Sequence, residues 1–203
     1  EFQMTKKNFN TISDVIYQHA GIVLKEIKED MVYSRVSRRI RITGSRGFDD
    51  YLKLALATGS DEFTHFVNAI TTNLTSFFRE SHHFDFITQT ALPGWKATPG
   101  RQRLRIWSAG SSTGEQAYSI AMTLADQVPK NWDTKILATD VDTDVVAQGD
   151  SGIYTQERIN GLSKSLVTQH FDKVKVDGAQ RVQVKKNLRD MAFFKPLNLL
   201  QAW

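Results

Sequence analysis

Residues 105 to 122 read "RIWSAGSSTGEQAYSIAM": an apolar strand, a turn of small residues and an amphipathic helix in eighteen positions. Between strand and helix stand only Ala109, Gly110, Ser111, Ser112, Thr113 and Gly114. Side chains this small let backbone N–H groups and a helix N-terminus approach a ligand beyond the carboxyl end of the strand. The turn is neither a G-x-G-x-x-G fingerprint nor a Walker loop, and the lysine that a triphosphate needs is missing. A phosphate cradle is therefore disfavoured. A second strand-like run ends in "ATD", which places Asp140 where an acid commonly binds ribose hydroxyls, twenty-five residues after Glu115. A nucleoside without a phosphate chain fits these parts best, and S-adenosylmethionine is the common one. The plainer alternative is a turn kept small for packing and an aspartate that caps the next helix.

Other groupings carry less chemistry. His82 and His83 are adjacent, and neighbours on a helix point apart, so a joint metal site is not expected. Asp140, Asp142 and Asp144 have the spacing that opens a calcium loop but lack its glycine and distal glutamate. With no cysteine in 203 residues, disulfides, thiol catalysis and thiolate metal sites are excluded. The expected metal content is none.

The formal net charge of +4 is mild but uneven. "YSRVSRRIRITGSRG" (33–47) gathers Arg35, Arg38, Arg39, Arg41 and Arg46, whereas nearby acids lie outside it. Val32, Val36 and Ile40, with Ile42 beside them, recur at near-helical spacing, which predicts a helix with one buried stripe and a basic exposed face. Such a face suits an acidic partner, and arginine clusters also occur in nucleic-acid binders.

The elements that position these residues fall into two blocks. From Phe9 to about Ile87 the apolar period is helical, which predicts a small N-terminal helical domain over 5–90. "LPGWKATPGRQR", with two Pro-containing turns and no period, reads as a linker over 91–103. The remainder, 104–203, alternates strand, helix, strand and helix with short connections, the pattern of a parallel α/β sheet. Residues 171–195 alternate at period two around Asp177-Gly178, which predicts an inserted β-hairpin subdomain added to that sheet. The fold class is α/β, a helical domain followed by a Rossmann-like sheet. No apolar run is long enough to span a bilayer and the start lacks a secretory core, so the expected location is cytoplasmic with no membrane insertion.

"TTNLTSFFRESHHF" (71–84), "WSAGSSTGEQAYSIAM" and "ATDVDTDVVAQGDSGIY", in this order, closely resemble the CheR family, S-adenosylmethionine-dependent glutamate methyltransferases of chemotaxis receptors. The resemblance runs from about Phe9 to the last residue. It implies that Asn73, Thr75 and Arg79 line the cofactor pocket, with the Arg79 guanidinium on the methionine carboxylate as the catalytic-site arginine. It implies Glu115 as acceptor for the methionine ammonium, Asp140 as the ribose-binding acid, and Asn198 and Leu199 of "PLNLL" flanking the cofactor. The sequence departs from the family at Ser111, Gln116 and Ala117, where Cys, Glu and Pro are usual.

The implied reaction is methyl transfer to a glutamate side chain, leaving S-adenosylhomocysteine and a methyl ester. A carboxylate is ionised at neutral pH, so the reaction needs positioning more than a base. The implied partners are methyl-accepting chemotaxis receptors, whose acidic methylation helices would meet Arg35, Arg38, Arg39 and Arg41. In some family members the β-subdomain also captures a C-terminal receptor peptide by strand addition. Nucleic acid is not an expected partner, because the aromatic-proline motifs of amino-methylating enzymes are absent. Family members continue beyond "NLL" with further core strands, so the sheet is expected to be incomplete at the C-terminus, with an apolar edge and face exposed. The alternative from another class is a non-catalytic receptor-binding module of the same family.

Overall fold

The computed structural model of the protein describes residues 1–202, which divide by their contacts into two compact units. The first comprises residues 1–72, 141–143 and 198–202, and the second residues 73–140 and 144–197. Among the described residues no helix is long and apolar enough to cross a membrane.

The first unit is helical. Helix α1 (Lys6–Ala20) starts at a reciprocal capping box: Asn8 N donates to Thr5 Oγ1 at 3.2 Å and Thr5 N to Asn8 Oδ1 at 2.9 Å. It ends at Gly21, whose left-handed φ of 69° lets its N–H reach Tyr17 O at 2.8 Å. After a 3-10 turn (Glu26–Lys28) come α2 (Glu29–Thr43), α3 (Phe48–Ala55) and α4 (Glu62–Ile70). Val32, Val36 and Ile40 of α2 are wholly buried with Phe9, Ile12 and Ile16 of α1 and Tyr51 and Phe66 of α3 and α4. Ile42 stands outside the stripe and is 59% exposed, since two residues beyond Ile40 carry it about 200° around the helix.

The basic face of α2 is smaller than the sequence predicts, because two arginines serve the fold. The Arg39 guanidinium grips Glu62 with both arms, Nε at 2.9 Å and Nη2 at 2.7 Å, while Tyr51 Oη donates to the same carboxylate at 2.8 Å. Burial pushes the Glu62 carboxyl up, but the hydrogen bonds from Arg39 and Tyr51 outweigh it and hold the group below the ordinary carboxylate range. Arg35 spends its Nη1 on the carbonyls of Ala69, Ile70 and Thr71, which α4 leaves without helical partners. Arg38 and Arg41 remain exposed, Arg41 lying over the Phe2 ring.

The second unit holds two sheets. In the first, β1 (Arg103–Ala109), β2 (Asp133–Asp140) and β6 (Ala192–Pro196) run parallel in the order β1-β2-β6. Helix α7 (Glu115–Ala125) buries Ala117, Tyr118, Ala121 and Leu124, in one core with Leu104, Ile136 and Phe194 of the strands. On the other face Trp107, Leu137 and Phe193 stand in register, each exposed by about two-fifths, where a parallel sheet is usually covered. Helix α8 (Thr143–Ser151) follows β2.

The hairpin forms where Asp177-Gly178 predicts it, with φ of 48° and 77° at the two turn residues. It differs from expectation in its partner: β4 (Phe171–Val176) and β5 (Ala179–Val184) join β3 (Ile153–Tyr154) in a separate antiparallel sheet, order β3-β5-β4. The period-two run breaks at the helical turn α10 (Lys186–Arg189), and the chain beyond it returns to the parallel sheet as β6. A 3-10 turn (Gln156–Ile159) and α9 (Lys164–His170) link β3 to β4.

Residues 73–81 contain no helix, and they group with the sheet unit. The segment 91–103, read as a linker, begins in ordered structure: α5 (His82–Phe86), a π-helical turn (Ile87–Ala91) and α6 (Leu92–Ala97) run on continuously, with Leu92 buried. Apolar Ile87, Leu92 and Trp95 pack on the sheet unit's core, which the prolines obscure in a periodicity count.

Candidate functional site

The turn after β1 is pinned to the end of β2. Ser111 N donates to Thr139 O at 2.8 Å, and Ser112 N donates to Asp140 Oδ2 at 2.8 Å. Gly114 has a φ of 93°, and a Cβ there would meet the Phe194 ring at 2.8 Å and Gly149 Cα at 3.1 Å. Only glycine lets α7 begin this close to α8 and β6. Among the described residues six buried side-chain polar atoms lack a hydrogen bond, and three lie in this turn or at the first residue of α7: Ser111 Oγ, Ser112 Oγ and Glu115 Oε1. Folded proteins pair nearly all such atoms, so three of them within five residues single out this stretch as a candidate for polar contacts with a ligand or water.

Glu115, at the first position of α7, is wholly buried. Thr113 Oγ1 donates to its Oε2 at 2.6 Å. Its Oε1 lies 3.3 Å from Arg158 Nη1, an ion pair without hydrogen-bond alignment, and the same nitrogen donates to Thr75 O at 3.2 Å. Tyr154 Oη donates to Thr113 O at 2.7 Å. Burial first, and then the charge of Glu115, push the Tyr154 phenol well above its ordinary value, so it stays a neutral donor.

The segment 71–81 is held by its aromatics. Phe77 is buried, its ring 5.0 Å from Tyr154 and 5.4 Å from Phe171, and Phe78 packs on Phe84 at 5.1 Å. Phe78 N donates to Ser119 Oγ at 2.9 Å, and Ser119 Oγ donates to Glu115 O at 2.7 Å, which ties the segment to α7. Phe78 and Glu80 have φ of 53° and 57° on either side of Arg79, a costly backbone that such anchors sustain. Arg79 is exposed and donates through Nη1 to Leu74 O.

Asn73, Thr75, Arg79, Glu115 and Asp140 thus all belong to the sheet unit. Asn198 and Leu199 group with the helical unit, where Asn198 Nδ2 donates to His19 O at 2.6 Å and its Oδ1 accepts from Leu200 N at 3.0 Å; Leu199 is 57% exposed. His82 and His83, expected to point apart, bring their rings to 4.2 Å at the start of α5. Arg158 escaped the sequence reading because "YTQERIN" carries no motif. The available signal was the need of a buried glutamate for a nearby cation.

Residues 73–203 match the family model described as CheR methyltransferase, SAM binding domain, and residues 7–71 match CheR methyltransferase, all-alpha domain. The chain belongs to the CheR methyltransferase family. It is similar to a chemotaxis protein methyltransferase of Escherichia coli, 42% identical over 98% of this chain and 70% of that protein. It is also similar to one of Salmonella typhimurium, 40% identical over 98% of this chain and 70% of that protein. Chemotaxis protein methyltransferase 2 of Pseudomonas aeruginosa is 38% identical over 100% of this chain and 71% of its own. As a CheR protein the chain is an S-adenosylmethionine-dependent methyltransferase acting in chemotaxis, and a non-catalytic binding module is not favoured. The two family matches meet at residue 72, where the contact division also falls.

Proposed function

We propose that this methyltransferase esterifies glutamate side chains of chemotaxis receptors in the cytoplasm, leaving S-adenosylhomocysteine as product. The observation that carries this reading is the Oε1 of buried Glu115, which is ion-paired with Arg158 but accepts no hydrogen bond, beside the unpaired hydroxyls of Ser111 and Ser112. An acceptor of that kind suits an ammonium group, which the methionine end of the cofactor has. Asp140, fixed by the Ser112 N–H, is suited to ribose hydroxyls, and Arg79 to the methionine carboxylate. Asn73 and Thr75 complete the wall. Asn198 and Leu199 enter through family resemblance alone, since the Asn198 amide is spent on His19 and Leu200.

When bound, the cofactor supplies an electrophilic methyl: a glutamate oxygen forms the new C–O bond while the C–S electron pair goes to sulfur. The receptor carboxylate is already ionised, so this chain need not remove a proton. Its task is orientation: Glu115, Asp140 and Arg79 hold three polar ends of one ligand. Receptor docking falls to Arg38 and Arg41, the exposed arginines of α2, with Arg35 and Arg39 supporting the helix on which they stand. The test is methyl incorporation from labelled S-adenosylmethionine into receptor cytoplasmic fragments. Base-labile label at glutamate is expected, and label that is base-stable or falls on another residue type overturns the assignment.

A further inference from the structure

Glu115 presents a problem of access. Its carboxylate has no exposed surface, so no ligand reaches Oε1 unless a neighbour moves. Two neighbours are fixed: Thr113 is 4% exposed and bonded to Oε2, and Tyr154 is 1% exposed and bonded to Thr113 O. The third is Arg158, whose long side chain is 41% exposed and held by a single 3.2 Å bond to Thr75 O. Its contact with Oε1 has the charge of an ion pair but not the alignment of a hydrogen bond. It therefore compensates the buried charge while leaving the acceptor's hydrogen-bonding capacity unused.

We propose that Arg158 is the counter-ion of Glu115 until a ligand binds, and that it swings off the carboxylate to let the cofactor's ammonium take its place. The proposal rests on the assignment of Glu115 to that ammonium. Arg158 is a positioning residue in this scheme: it pairs with the buried carboxylate at 3.3 Å and guards it until a ligand cation arrives. Two cations do not share one oxygen at contact distance in a buried site without strong repulsion, so the exchange is competitive. Breaking the resident pair lowers the apparent affinity for any ligand that must displace it.

The consequence runs opposite to that of an ordinary binding residue. In Arg158→Gln the buried Glu115 side chain loses its ion-pair partner, and a ligand ammonium supplies the missing cation. Calorimetric titration at pH 8 compares S-adenosylhomocysteine with 5′-methylthioadenosine, which lacks the amino-acid end. The expected result is binding of S-adenosylhomocysteine at least threefold tighter in Arg158→Gln than in the parent, with 5′-methylthioadenosine unchanged and Arg158→Lys like the parent. Thermal melts should show a less stable empty variant with a larger gain on adding S-adenosylhomocysteine. Unchanged or weaker binding of S-adenosylhomocysteine in Arg158→Gln overturns the exchange and makes Arg158 a permanent part of the wall. Failure of the parent to bind either ligand overturns instead the cofactor assignment. Should Arg158→Gln not fold, the Arg158 Nε–H resonance of the parent decides: a shift with S-adenosylhomocysteine but not with 5′-methylthioadenosine supports displacement, and no difference between them contradicts it.

Discussion

Asp140 Oδ2 accepts the Ser112 N–H at 2.8 Å, so the acid at the end of one strand is locked to the turn that follows its neighbour. With the proposed ribose contact, Asp140 has two duties, shaping the turn and holding the ribose. Asp140→Ala should therefore weaken both S-adenosylhomocysteine and 5′-methylthioadenosine by tenfold or more, since one or two charge-assisted bonds are worth about 1.5–3 kcal/mol each. Calorimetry with the two ligands checks this, and an effect on only one of them contradicts it.

Gly149 of α8 sits against Phe194, where an added Cβ would come within 2.4 Å of the ring. Gly149→Ala gains about 1 kcal/mol of helix propensity, but forcing a methyl into this contact costs roughly 1–3 kcal/mol. Phe194 is buried against Tyr118 at 5.5 Å and has little room to yield. A net loss is expected, read as a lower midpoint in urea with an unchanged slope.

Glu62→Ala strands the Arg39 guanidinium and the Tyr51 hydroxyl in the helical unit's core. The expected cost is on the order of 3 kcal/mol, as for other pairs broken from one side. Because the Glu62 carboxyl lies below its ordinary value in the folded protein, its contribution is full above that value and is lost as pH falls through the folded one. Stability measured from pH 7 down to pH 3 should fall less steeply in Glu62→Ala than in the parent.

The proposed receptor docking separates the arginines of α2. Arg38→Glu and Arg41→Glu should lower the second-order rate of receptor methylation, most at low ionic strength, without changing the melting temperature. Arg39→Ala should lower the melting temperature, because its partner is Glu62.

The sequence carried the chemistry of this fold further than its geometry. Val32, Val36 and Ile40 were legible as one buried stripe because a helix repeats its face, and Asp177-Gly178 because few residues accept two successive positive φ values. The partner of the resulting hairpin was not legible, since period two says which face is buried and nothing about which sheet receives it. Glu115 and Asp140 stood out by their places beside a small-residue turn. Arg158, forty-three residues from Glu115 in the chain, has no local pattern to betray it. Arg35 and Arg39 look like surface charges until carbonyls and a buried acid appear beside them.

The central claim is that Glu115 receives the ammonium of the cofactor. Its most direct test is calorimetric titration of the parent and Glu115→Gln with S-adenosylhomocysteine. The account predicts binding by the parent and a loss of tenfold or more in the variant, the value of one charge-assisted contact. Equal binding by the two proteins would contradict it.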